Sequence, residues 1–487
     1  MRFLQRVAIG AGLLLAVQGS AHAQASFQEF ESGPVRPMAL TPDGTHLLVC
    51  NIPDNRLEIF AVYAGGLTHQ ASVPVGMEPV AVAARTNTEA WVVNHLSDSV
   101  SVVDLGSTPP RVTRTLLVGD EPRDIVFAGT GGNRAFVTTA RRGQQRSDPS
   151  LTGGVTPGAG NPLFTTQSVP RADVWVWDAN NLGSGFGGIP IRILSLFADT
   201  PRALATSPDG STVYVAAFLS GNQTTAINEK SVCDGFTAAG PCTTPGGATA
   251  PGGLPGPSTD AGGDPAPETG LIVKFDPPTG RWLDVLGRDW DAVVPFTLPD
   301  HDVFAVNADT LAVAPAPFDH VGTTLFNMVV NPISGKLYVS NNDSPNLTRF
   351  EGPGVFGGST VQGHVAEARI SVINPTTGSV DPQHLNPHID YSRLFTGANP
   401  PLADQKNYSL ATPLQMAVSS TGTVYVAAFG SGKIGVFSTA TLEDPNFEAD
   451  YQPATASANY IPTGGGPAGI VLDEARGHLY VYTRFDD

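Results

Sequence analysis

The segment NPISGKLYVSNN, Asn331 to Asn342, reads as a tight turn running into a strand. Pro332 presets φ early in the turn and Gly335 tolerates positive φ, after which Leu337-Tyr338-Val339 has the aromatic and β-branched make-up of a strand. The same turn chemistry recurs as Pro42-Asp43-Gly44, Pro208-Asp209-Gly210 and Ser420-Thr421-Gly422, each ahead of a similar strand. Those strands are LLVCN (Leu47 to Asn51), WVVNH (Trp91 to His95), AFVTT (Ala135 to Thr139), VYVAAF (Val213 to Phe218), LYVSNN (Leu337 to Asn342), VYVAAF (Val424 to Phe429) and LYVYT (Leu479 to Thr483), seven in all. Another strand type follows six times: LEIFAV from Leu57, VSVVDL from Val100, VWVWDA from Val174, LIVKFD from Leu271, ISVINP from Ile370 and IGVFST from Ile434.

The complete unit is a Pro, an apolar strand, a turn, these two strands and a last strand often ending in Gly; it returns after about 42 residues between Pro37, Pro79 and Pro122. Both central strands are apolar on both faces and need cover above and below, which sheets stacked face to face around an axis provide. A flat sandwich does not account for the repeat. The expected fold is therefore all-β, a β-propeller of about seven four-stranded blades over residues 24–487. The count becomes eight if Asp302 to Asn307 and Val321-Gly322 mark a degenerate repeat between Trp290 and Gly322. Phe27 to Gly33 resembles a fourth strand with no repeat before it, so this N-terminal strand is expected to close the ring. The chain stops at Asp487 after the second strand of a repeat, so the last blade reads as incomplete and the sequence as a fragment. Gln144 to Pro170 and Leu219 to Glu268, rich in Gly, Pro, Ser and Thr, are expected to be surface loops or partly disordered.

Residues 1–23 have the plan of a secretory signal: Arg2 and Arg6, an apolar run from Val7 to Val17, and Ala21-His22-Ala23 for cleavage. The expected location is periplasmic or secreted. Cleavage removes two arginines and no acid, taking the net charge from −17 to −19, which weighs against nucleic acid or anionic lipid as partners. No later stretch is apolar for long enough to suggest membrane insertion, and a monomer is expected. In an oxidising compartment Cys233 and Cys242, close together in one polar stretch, are expected to form a local disulfide, leaving Cys50 as a small buried side chain.

The sequence offers no catalytic set. Its best metal-ligand candidates are Asp300 and Asp302, which share a face of an extended chain while His301 points away, and His364 with Glu367 at His-x-x-Glu spacing. Loop polarity is the plainer reading of each. Asn51, Asn94 and Asn341 close the second strand and read as loop-bonding residues, and Asn341-Asn342-Asp343 lacks the spacing of a calcium loop. Gly183 to Gly188 matches GxGxxG, yet the following IPIRILSL alternates as a strand and provides no helix N-terminus for a pyrophosphate. Trp175 and Trp177 face one neighbouring sheet and read as core.

Segments such as GTTLFNMVVNPISGKLYVSNN from Gly322, RFEGPG from Arg349, VQGHVAEARISVINP from Val361 and GGGPAGIVLDEARGHLYVYTRFDD from Gly464 resemble the YVTN-repeat β-propeller family, and within it an exported bacterial subgroup. The resemblance spans essentially the whole mature chain. It implies a propeller that often continues into a C-terminal c-type cytochrome region with CxxCH haem sites. This sequence contains no CxxCH, so no haem cofactor is expected on it. The expected role is a non-enzymatic interaction or scaffold module for a protein partner or a cytochrome domain. The alternative is a lactonase-like, metal-dependent hydrolase with a site at the ring axis, for which a divalent metal would be the cofactor.

Overall fold

Strands with apolar residues on both faces need a sheet on each side, and the chain supplies them by folding into successive antiparallel sheets that pack against one another. A computed structural model describes residues 33–141, 143, 145–147, 172–220, 222–233, 240–256, 264–265, 269–295, 299–348, 364–391 and 404–485. The leader at 1–23, all but Gly33 of the closing strand expected at 27–33 and most of the 144–170 insertion lie outside the described residues.

The first sheet is β1 (Met38–Leu40), β2 (His46–Asn51), β3 (Arg56–Tyr63) and β4 (Gly66–Pro74), antiparallel in that order. The second is β5 (Pro79–Thr86), β6 (Glu89–Asn94), β7 (Ser99–Asp104) and β8 (Arg111–Leu117), and the third β9 (Pro122–Ala128), β10 (Arg134–Thr139), β11 (Ala172–Asp178) and β12 (Arg192–Leu196). A fourth starts with β13 (Asp199–Thr206) and β14 (Thr212–Leu219). An inserted module then contributes β15 (Thr224–Ile227), β16 (Cys242–Thr243), β17 (Thr249–Ala250), β18 (Leu271–Asp276) and β19 (Arg281–Leu283) before β20 (Val303–Asn307) rejoins β14. The fifth, β21 (Thr324–Val330), β22 (Leu337–Asp343), β23 (Glu367–Ile373) and β24 (Val380–His384), meets the fourth at the single pair Leu219 and Thr324. The sixth is β25 (Pro413–Val418), β26 (Thr423–Ala428), β27 (Lys433–Ser438) and β28 (Ile461–Pro462), and β29 (Pro467–Asp473) pairs with β30 (His478–Thr483).

The architecture is all-β and propeller-like. The first strand of each sheet lies against the first strand of the next, from β1 through β5, β9, β13, β21 and β25 to β29, which lies against β1. The middle strands are the most buried: β6 and β7 are buried almost throughout, whereas the outer β8 is mostly exposed or half-buried. Adjacent sheets hold apolar cores between them. Trp91, Val93 and Val102 of the second meet Ile125, Trp175 and Trp177 of the third, the two tryptophans stacked with ring centroids 5.7 Å apart as core residues. Val471 and Tyr480 pack against Leu47 and Val62 of the first sheet. Each such large side chain contributes roughly 2–3 kcal/mol on burial. Cys50 is buried in β2, and that burial pushes its thiol pKa up.

Two expectations are corrected by the pairing. LIVKFD (Leu271–Asp276), read as the third strand of a repeat, is β18 and pairs with β15 and β19 inside the module. The third strand of the fourth sheet is Val303–Asn307, in register with β14 at Val213 to Val306 and Val215 to Phe304, so among the described residues the segment read as part of a degenerate eighth repeat belongs to the fourth sheet. The 219–268 stretch, expected as a loop, carries β15, a helical turn at Glu229–Val232, the β16–β17 hairpin and the Cys233–Cys242 disulfide. The module has its own core of Ile227, Val232, Leu271, Val273, Trp282 and Trp290. Asp284 ties it together, accepting from Arg288 Nε at 2.6 Å, Trp290 Nε1 at 3.0 Å and the backbone N–H of Leu286 and Arg288. Among the described residues no helix is long and apolar enough to cross a membrane.

Candidate functional site

Strands that alternate in direction send their connections to two opposite faces. Links from second to third strand, and from one sheet to the next, share one face; links from first to second and from third to fourth share the other. Between successive described strands of the propeller sheets, five stretches of chain exceed 20 residues: 140–171, 220–302 (which carries the module), 344–366, 385–412 and 439–460. The first four all emerge on the former face, which is the candidate functional surface.

At the centre, the residues just ahead of β1 bridge several sheets. Arg36 donates from Nε and Nη2 to the two oxygens of Asp124 at 3.0 Å each, and Nη2 also reaches Leu204 O at 2.7 Å. Asp124, wholly buried, accepts further from the N–H groups of Ile125 and Leu204 at 2.8 Å. Arg202 donates to Pro34 O and Phe326 O at 3.0 Å, lies 4.9 Å from the centroid of the Phe218 ring, and Asn327 Nδ2 donates to Val35 O at 2.8 Å. Burial, with the Arg123 charge nearby, pulls the Arg202 pKa down, and two carbonyls and a ring face take the place of a carboxylate. These groups satisfy one another, and the arrangement is that of a staple holding segment 34–36 to the second through fifth sheets. Sequence inspection missed it. The available signal was charge at positions following the repeat's Pro, Arg123-Asp124 and Arg202, where other repeats carry Met38-Ala39 and Val80-Ala81.

The four metal candidates fall in two places. Asp300 and Asp302 come together where the module rejoins β14: Asp300 Oδ2 accepts from His320 N at 3.0 Å and Asp302 Oδ2 from Val321 N at 2.7 Å. Burial, then the charge of Asp300, raises the Asp302 pKa. His301 points elsewhere, as its position in an extended chain implied, with Nδ1 3.2 Å from Phe197 O. His364 and Glu367 pair with each other, Nε2 to Oε1 at 3.2 Å. The imidazole also stacks on Tyr391 with centroids 3.5 Å apart, and Glu367 bonds Arg369, whose guanidinium continues to Asp343 at 2.8 Å. Arg369 occupies Glu367, whereas His364 Nε2 is buried without a hydrogen bond and meets Glu367 only at ion-pair distance. Among the described residues no three His, Cys, Asp or Glu side chains gather as a metal-ligand set.

The strand-end asparagines have local partners. Asn94 Nδ2 donates to the hydroxyls of Ser99 and Ser101, and Asn341 Nδ2 to Val339 O and Ser371 Oγ. They also help explain the glycines that end two of the repeats: a Cβ on Gly76 would sit 2.6 Å from Asn94 Cγ and close to the Ser97 hydroxyl, and one on Gly322 2.8 Å from Asn341 Cγ. The Gly183 to Gly188 loop packs on the second sheet, where Arg114 Nη2 donates to Gly183 O at 3.0 Å, and the strand β12 follows it.

No protein-family model and no curated protein matches the chain. Among solved structures it is similar to Kuenenia stuttgartiensis hydrazine synthase, with a TM-score of 0.56 and 15% identity over 96% of each chain. It also matches candidate 6-phosphogluconolactonases from Bacteroides uniformis (TM-score 0.40, 14% identity, 92% of this chain and 83% of that one) and Bacteroides fragilis (0.41, 10%, 94% and 85%). At this identity the first likeness speaks to the propeller-like fold alone.

Proposed function

We propose that the chain is a seven-bladed exported propeller of the YVTN type that acts as an interaction module, binding a protein partner on the face where the second-to-third and sheet-to-sheet connections leave the strands. The observation that carries this reading is the gathering of four of the five long connections on that face. Loops on a rigid sheet scaffold are where binding surfaces are built. The central polar groups, which a hydrolase would direct at a substrate, are instead bonded to one another and to backbone. Seven blades accord with the run of inner strands from β1 to β29. A c-type cytochrome is the partner class to which the repeat resemblance points.

The test uses a photo-crosslinking residue placed in the native host at Leu96, on the proposed face, or at Ile333, on the opposite one; both are exposed, at 57% and 62%. Leu96 should give a discrete adduct that Ile333 does not, and haem staining of that adduct examines the cytochrome assignment. Equal labelling from both faces, or lactone hydrolysis by the purified chain, would overturn the proposal.

A further inference from the structure

We infer that Asp300, Asp302 and Ser220 form a calcium site that clamps the two stalks of the inserted module to the start of the fifth sheet. Ser220 lies just past the end of β14 on the outgoing stalk, Asp300 and Asp302 lie on the returning stalk ahead of β20, and His320-Val321 leads into β21. Three stretches of chain distant in sequence thus meet at one cluster of oxygens.

His320 has φ of 59°, and the successive N–H groups of His320 and Val321 converge on Oδ2 of Asp300 and Oδ2 of Asp302. Both carboxylates are thereby locked in place. Ser220 Oγ is 3.4 Å from Asp300 Oδ1, while Asp302 Oδ1 has no hydrogen-bond partner although the residue is wholly buried. An unpartnered oxygen of a buried carboxylate, beside a second carboxylate, calls for a positive charge. Among the described residues no lysine or arginine pairs with either aspartate; the one basic group nearby is the His320 ring, 3.8 Å from Asp300 Oδ2, exposed and closer to Asp319 at 3.1 Å. A single shared proton would leave one negative charge buried, whereas a divalent cation neutralises both. Two carboxylate oxygens and a hydroxyl are hard donors suited to Ca²⁺, whose irregular six- to eight-fold oxygen shell admits water for the remainder; Mg²⁺ demands near-ideal octahedral geometry. With two acidic ligands the affinity should be that of an extracellular module, roughly 0.1–1 mM.

The full chain is melted at pH 8 in EDTA, in 5 mM Mg²⁺ and in 5 mM Ca²⁺, with protease cleavage inside residues 222–295 followed in parallel. Calcium, and not magnesium, should raise Tm by about 2 °C and slow that cleavage several-fold. Asp302→Asn should abolish both effects and Ser220→Ala should shift the calcium midpoint to higher concentration; should Asp302→Asn not fold, Asp300→Asn replaces it. Identical melting in calcium and EDTA means that the pair is held by a proton alone and overturns the proposal, as does a calcium shift that survives in the aspartate variants.

Discussion

At the scale of single residues, the repeat is a set of paired constraints. Gly76 is glycine because the Ser97 hydroxyl and the Asn94 side chain occupy the space a Cβ would need. Gly76→Ala is expected to destabilise the chain by about 2 kcal/mol in urea titrations. His95, 6% exposed with Nδ1 3.3 Å from Pro122 O, has its pKa lowered by burial and then by the Arg123 charge. A histidine whose folded pKa lies below its unfolded value stabilises the fold above about pH 6.5 and loses that contribution as pH falls toward the folded value. The urea midpoint should therefore decline below pH 6.5, with a shallower decline in His95→Gln. Cys50, buried and with its thiol pKa raised, should resist thiol reagents in the native protein and react at the rate of unfolding.

At the scale of elements, the repeat strands were legible, whereas the short strands of the module and one pairing were not. LIVKFD has the composition of a third strand, and its local chemistry does not distinguish it from VSVVDL or ISVINP. What excludes it from the fourth sheet is that VFAVN takes that place, bonding to β14 across the whole module. Because β14 and β20 already form a direct antiparallel pair, replacing residues 222–299 with a short Gly-rich turn should leave one cooperative transition, with a Tm within about 5 °C of the parent. Conversely, Asp284→Ala removes the acceptor for Arg288 and Trp290 and should open the module alone: rapid cleavage within it, with the far-UV signature of the sheets retained.

At the scale of the whole molecule, segment 34–36 acts on the second through fifth sheets at once. Arg36→Met leaves buried Asp124 without its cation and is expected to lower stability by about 3–5 kcal/mol in denaturant titrations, with Arg36→Met/Asp124→Asn less damaging than the single change. The amino-acid order by itself determined the strands, their hairpin turns and the stacking of two-sided apolar sheets, because turn chemistry and hydrophobic pattern act within a few residues of chain. It also brought Asp300 and Asp302 to one face and turned His301 away, since alternation along an extended chain is local. Tertiary structure alone decided that Val303–Asn307 returns to β14, that Arg36 meets Asp124, and that four long connections emerge on one face. Those outcomes depend on which buried groups find partners far away in sequence, and a pattern that records how deeply a residue is buried does not record what it is buried against.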